Sequence, residues 1–140
     1  MINFGRRYVE YVEYTPRYRR RSRLPKPENE RNDLMPKFLV EATYTAEGHK
    51  GLAKDKPSGR KTAITQAVKK LGGKLDAIYF CLGENDVILI ADLPDHVSAA
   101  ALGSAACASG MARTKTTVLL TVDEADEALS KPVAYRAPGA

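Results

Sequence analysis

The chain has 140 residues, 44% of them hydrophobic and 28% charged, with a formal net charge of +5. That length suits one domain with a sizeable core, and the composition is that of an ordinary globular protein. No apolar run approaches the roughly 20 residues that cross a bilayer, and Arg and Tyr interrupt the N-terminal runs where a secretory signal would lie, so the sequence reads as cytoplasmic.

The charge is concentrated at the N-terminus. Residues 1–34 hold nine Lys/Arg and five Asp/Glu, a net +4, whereas the other 106 hold 13 and 12, a net +1. Arg19, Arg20, Arg21 and Arg23 stand among Tyr8, Tyr11, Tyr14 and Tyr18, ahead of Pro25 and Pro27. Three readings stay open for this stretch. It is a disordered basic extension, a segment upstream of a natural start at Met35, or an arm that sets arginines on phosphates and stacks tyrosines on bases. Nucleic-acid binding is the least favoured of the three, because patterning begins abruptly at Met35.

Residues 35–130 carry the folded domain. Lys37 to Thr45 alternates, with Phe38, Val40, Ala42 and Tyr44 on one face and Leu39, Glu41 and Thr43 on the other, as a strand does. The spacing predicts a helix opening at Pro57-Ser58-Gly59 with Ser58 as N-cap, since its hydroxyl can accept an unpaired backbone N–H. Ile64, Ala67, Val68 and Leu71 form its apolar stripe, and Gly72-Gly73 ends it. Leu75–Leu82 and Val87–Ala91 read as strands joined by a tight turn at Gly83-Glu84-Asn85-Asp86. Asp95 caps a helix to about Ser109, ended by Gly110 and rich enough in Ala, Gly and Ser to lie close to a sheet. A fourth strand from Arg113 to Thr121, a short helix from Val122 to Leu129 and an extended tail over 131–140 complete the chain.

The order β-α-β-β-α-β predicts an α+β domain of ferredoxin-like type, an antiparallel sheet with two helices on one face. Val87-Ile88-Leu89-Ile90 is apolar on both faces, as in a strand covered on both sides. Two helices cover only one side, so the sequence predicts a homodimer of facing sheets. Burying about 500 Å² of apolar surface per subunit at ~25 cal/mol per Å² gives about 12 kcal/mol before association costs.

The chain from Met35 to Gly139 resembles the GYD-domain family of small, mostly bacterial proteins. The resemblance rests on Tyr44-Thr45-Ala46-Glu47-Gly48, Ser58-Gly59-Arg60, Leu71-Gly72-Gly73-Lys74-Leu75, the Gly-x-x-Asp turn at Gly83–Asp86, Asp92-Leu93-Pro94-Asp95, Lys115–Thr121 and the tail Tyr135-Arg136-x-Pro138-Gly139. It implies a ferredoxin-like, dimeric α+β barrel and no named activity. In one place the chain departs from it: Asn85 stands where the family has Tyr in Gly-x-Tyr-Asp. Related barrels include ligand-sensing modules and cofactor-independent oxygenases or isomerases, so fold alone does not choose among them.

Several side chains invite a chemical reading. Glu41 sits mid-strand on the face that would meet a partner, where an unpaired carboxylate is costly. It is expected to pair with Arg113 or Lys115 and, with Tyr79, to grip a small polar ligand; the competing reading is an interface ion pair. Asp86 is either a general base or an acceptor for the N–H groups of Gly83 and Glu84. His49 is either a proton shuttle or a surface residue of a Lys-rich loop, and His96 is expected to be exposed in its helix's first turn. Ser58 and Arg60 either receive an anion at a helix N-terminus or simply cap it. Cys81 and Cys107 read as small buried hydrophobes, with neither metal-ligand spacing nor a disulfide framework. The leading expectation is a homodimeric small-molecule-binding or sensing domain needing no metal or cofactor. The alternatives are a cofactor-independent enzyme and a structural or partner-binding dimer with a filled core.

Overall fold

The computed structural model describes residues 35–139; the readings of the basic N-terminal segment lie outside them. Strand β1 spans Lys37–Tyr44, α1 Ala46–Lys70, β2 Lys74–Phe80, β3 Val87–Asp92, α2 His96–Ala108, β4 Ala112–Leu119 and α3 Val122–Ser130. The result is an α+β domain with one open, antiparallel, four-stranded sheet in the order β2-β3-β1-β4.

Alternation along β1 sorts its side chains between two environments. Phe38, Val40 and Ala42 are buried, whereas Leu39 and Glu41 between them are half-buried. Because paired residues share a face, the register carries the same division across the sheet: Phe38 opposes Ala91, and Val40 opposes Leu89. These four pack with Ile64 and Val68 of α1, Ala99 of α2 and Leu93 to form the core. Both long helices therefore serve one face. Ile88 and Ile90, on the other, are left half-exposed by their own chain.

The first helix begins earlier than the sequence suggested. Thr45, not Ser58, is its N-cap, with its hydroxyl accepting the Gly48 N–H at 3.1 Å. The Lys-rich stretch after Gly48, expected as a loop, is helical as well. What the sequence did mark at Pro57 is a break: Lys56 leaves helical geometry at φ 60°, ψ 158°. Proline disfavours helical geometry in the residue before it, yet is well suited to start a new helical segment. Ser58 thus lies within the second segment, and its carbonyl accepts the Thr62 hydroxyl.

The remaining elements follow the expected order. Gly72 and Gly110 take the left-handed φ of 81° and 71° at the ends of α1 and α2. Asp95 caps α2 by accepting the Ser98 N–H at 2.7 Å, a bond that holds its carboxyl pKa below the ordinary value. The small residues of α2 bring it against β4, where a Cβ on Gly103 would lie 3.2 Å from Thr114 Oγ1. Gly73 is closer still to its surroundings: a Cβ there would lie 2.3 Å from the Asp92 carbonyl oxygen. Helix α3 opens with a capping box between Thr121 and Glu124, but only Ala125 in it is even half-buried.

The cysteines depart from expectation. Cys81 is half-buried and Cys107 exposed. Cys107 lies near the edge strand, where its thiol meets the Thr114 hydroxyl at 3.5 Å, and that hydrogen bond draws its pKa down.

Candidate functional site

The uncovered sheet face carries an ordered row of side chains. Glu41 of β1 pairs with Lys115 of β4 on one side and Ile88 of β3 on the other, and Ile88 pairs in turn with Tyr79 of β2. Tyr79, Ile88, Glu41 and Lys115 therefore form one line across all four strands, on one face. The carboxylate of Glu41 accepts a hydrogen bond from Asn85 Nδ2 at 2.9 Å and lies 3.8 Å from Lys115 Nζ. Lys115 and Tyr79 remain largely exposed at 79% and 67%, whereas the Glu41 side chain keeps only 20%. A shielded carboxylate thus sits between an exposed cation and an exposed phenol, an arrangement able to bind a polar group by hydrogen bonds.

Of the two cations expected near Glu41, Lys115 is the one brought to it. Arg113 lies two residues away along β4, exposed and opposite Thr43. Sequence reasoning missed Asn85, because nothing in a turn signature reveals which way the amide will point.

At the end of the sheet a second group forms around Asp86. Its carboxylate accepts the Tyr44 N–H at 2.7 Å and lies 3.5 Å from His49 Nε2, while His49 packs edge-on to the Tyr44 ring at 5.7 Å. The expected bonds to Gly83 and Glu84 are replaced by this one. The loop from Cys81 returns Asp86 alongside the end of β1, past its last pair with β3, where Tyr44 has no β3 partner. Asp86 also closes the loop through its backbone, donating to the Ala42 carbonyl and accepting from Cys81 N–H. His49 and Asp86 are therefore neighbours, in a cluster that ties α1, β1 and the β2–β3 loop together.

A third group closes the opposite end. Lys37 donates to Asp76 and, at 2.7 Å, to Asp92, whose side chain is 7% exposed. Burial works against the charge on Lys37, but the bonds to and charges of Asp76 and Asp92 together hold its pKa above the ordinary value. The alternating pattern of β1 hid this triad, which depends on a register linking Lys37 to Asp92 and Asp92 to Lys74. His96 is exposed as expected, edge-on to Phe38 at 5.9 Å.

Ser58 and Arg60 do not join the open face. Arg60 lies on α1, on the far side of the sheet, among the residues between the two long helices. Among the described residues, no group of three or more His, Cys, Asp or Glu side chains is placed to hold a metal ion, and no helix is long and apolar enough to cross a membrane.

Residues 38–129, well over half of the chain, match the family model of the GYD domain. The chain belongs to the GYD-domain family. No curated protein and no solved structure matches it. The matched span of this GYD domain runs from β1 into α3, so it includes all of the sheet but Lys37 and every side chain of the transverse row. Asn85, where the family pattern resembled above carries Tyr, is the residue that bonds Glu41.

Proposed function

We propose that this GYD domain is a homodimeric small-molecule-binding module of ferredoxin-like type, its two open sheet faces opposed in a dimeric α+β barrel. The observation that carries the reading is the transverse row Tyr79–Ile88–Glu41–Lys115 on a face that neither long helix covers. Half-exposed Leu39, Ile88 and Ile90 supply apolar area for a partner copy. The sheet order β2-β3-β1-β4 suits the ferredoxin-like assignment, and a two-fold axis is the commonest way for such a face to be closed. Within the closed barrel, Glu41 and Lys115 contribute an acceptor and a donor to a small polar ligand, with Tyr79 beside them.

An enzymatic reading has one observation in its favour, the pairing of His49 with Asp86. It needs that pair to reach a bound substrate. His49 is 56% exposed at the sheet end, away from the transverse row, so binding is the better-supported reading.

Native mass spectrometry of the purified full chain tests the proposal. The expected spectrum is a dimer that retains a defined small-molecule mass, lost in the double variant Glu41→Leu/Lys115→Leu while the dimer persists. A monomer overturns the architecture. A dimer with no ligand, before and after screening with small polar metabolites, replaces this reading with a filled structural dimer.

A further inference from the structure

On the other side of the sheet, α1 and α2 do not close upon each other. Between them lies a cleft of about 420 Å³, within the roughly 300–1,000 Å³ typical of small-molecule sites. Its walls are built from Gly48 and Gly51 in the first half of α1, Ala63 and Ala67 in the second, and Ala105 and Ala106 of α2. Leucines at Gly51 or at the four alanines would fill the gap, whereas Gly48 lies against the Met111 carbonyl and has no room for a Cβ. A smaller recess of about 60 Å³ continues inward to Val40 and Leu89 of the sheet.

One cationic side chain enters this space. Arg60 lines both the cleft and the recess, and its Nε is buried without a hydrogen-bond partner. A guanidinium stays charged at any ordinary pH, so a buried N–H left unpaired on it is costly. Such an orphan is unusual enough to need an explanation. Asp55 also lines the cleft, yet among the described residues Arg60 makes no ion pair with any carboxylate. The wall is broken at Lys56, between the two halves of α1 that face the cleft, where a non-glycine residue holds φ 60°. Backbone strain of this kind collects at ligand clamps.

We propose that this cleft binds an apolar monocarboxylate, an aliphatic or aromatic acid whose carboxylate pairs with the Arg60 guanidinium while its body lies along the glycine and alanine walls. Asp55, exposed on the cleft wall, disfavours a second anionic group close to it. The site shares no residue with the transverse row, so it stands or falls independently of the function proposed for the open face.

The test is a titration of the isotopically labelled full chain with sodium octanoate, followed through its backbone amide resonances, with 1-octanol as the neutral probe of equal length. Octanoate is expected to shift Gly48, Gly51 and Ala106, with octanol at least about tenfold weaker, the effect of a charge-assisted hydrogen bond. Arg60→Gln should weaken octanoate about tenfold and leave octanol unchanged. Ala106→Leu, which fills the cleft with Arg60 intact, should weaken both, so the question is still decided if Arg60→Gln fails to fold. No shifts up to millimolar octanoate, shifts confined to Leu39, Glu41 or Lys115, equal affinity for the two probes, or unaltered binding by Ala106→Leu would each overturn the proposal.

Discussion

The two faces of the sheet are built by the same strands, residue by residue in alternation, yet they are solved differently. On the helix-covered face Phe38, Val40, Leu89 and Ala91 are almost fully buried, with polar groups kept to the edge strand β4. On the open face their immediate neighbours, Leu39, Glu41, Ile88 and Ile90, are half-buried, and a carboxylate sits at the centre. One face gains stability from its own chain at any concentration. The other keeps apolar area in reserve and satisfies its one central charge with an amide and a lysine. The difference teaches where to look for stability and where for association: a substitution on the first face unfolds the monomer, and one on the second should chiefly change what the domain binds.

The largest expected effect is on the covered face. Phe38→Ala should cost about 3–5 kcal/mol, read as a lower urea midpoint, because truncating a buried aromatic leaves a cavity beneath both helices. Replacing Ile90 by Lys should act differently. It should leave the far-ultraviolet circular dichroism unchanged while weakening the proposed self-association by at least about a hundredfold in sedimentation, the consequence of burying an unpaired charge at an interface. An unfolded Ile90→Lys monomer would mean that the two faces are not separable.

Next comes a junction that serves the covered face. Gly73→Ala should cost about 1–3 kcal/mol by thermal unfolding, since its methyl group would meet the Asp92 carbonyl and the Leu93 side chain, neither able to retreat easily. A smaller effect belongs to the charged end of the open face. The pKa of Lys37 is raised by folding, so the stability it contributes is fully present below the unfolded lysine value and is lost as pH rises through the folded one. Wild-type protein should therefore lose stability above a pH of about 10 more steeply than Lys37→Met. Equal slopes would remove the Asp76–Lys37–Asp92 contacts from the energetics. The smallest effect is expected from Thr121→Ala, about 1 kcal/mol confined to α3, visible as faster amide exchange there and not as a shift in global unfolding.

Much of this comparison was legible in the alternation of Lys37 to Thr45, because a strand of period two sorts its side chains before any partner is known. The alternation placed Glu41 on the open face and left Arg113 and Lys115 both open as partners; the register of β1 on β4 chose Lys115. The start of α1 was not legible: the segment between Thr45 and Pro57 is polar and lysine-rich, and the sequence pointed to a cap at Ser58 instead. Helical geometry prevailed because Thr45 is pinned to the start of β4 by bonds to Gly110 and Met111, contacts between residues more than sixty positions apart.

The sequence by itself determined the order of strands and helices, the cap of α2, the glycine stops and the division of β1 into two faces. All of these depend on propensities and periodicities that act within a few residues of one another. Only the tertiary structure decided that Asn85 bonds Glu41, that Asp86 reaches Tyr44 and His49, and that Arg60 is held with a buried, unpartnered nitrogen between the helices. Those arrangements depend on loop path, strand register and helix placement, quantities fixed by packing over the whole domain.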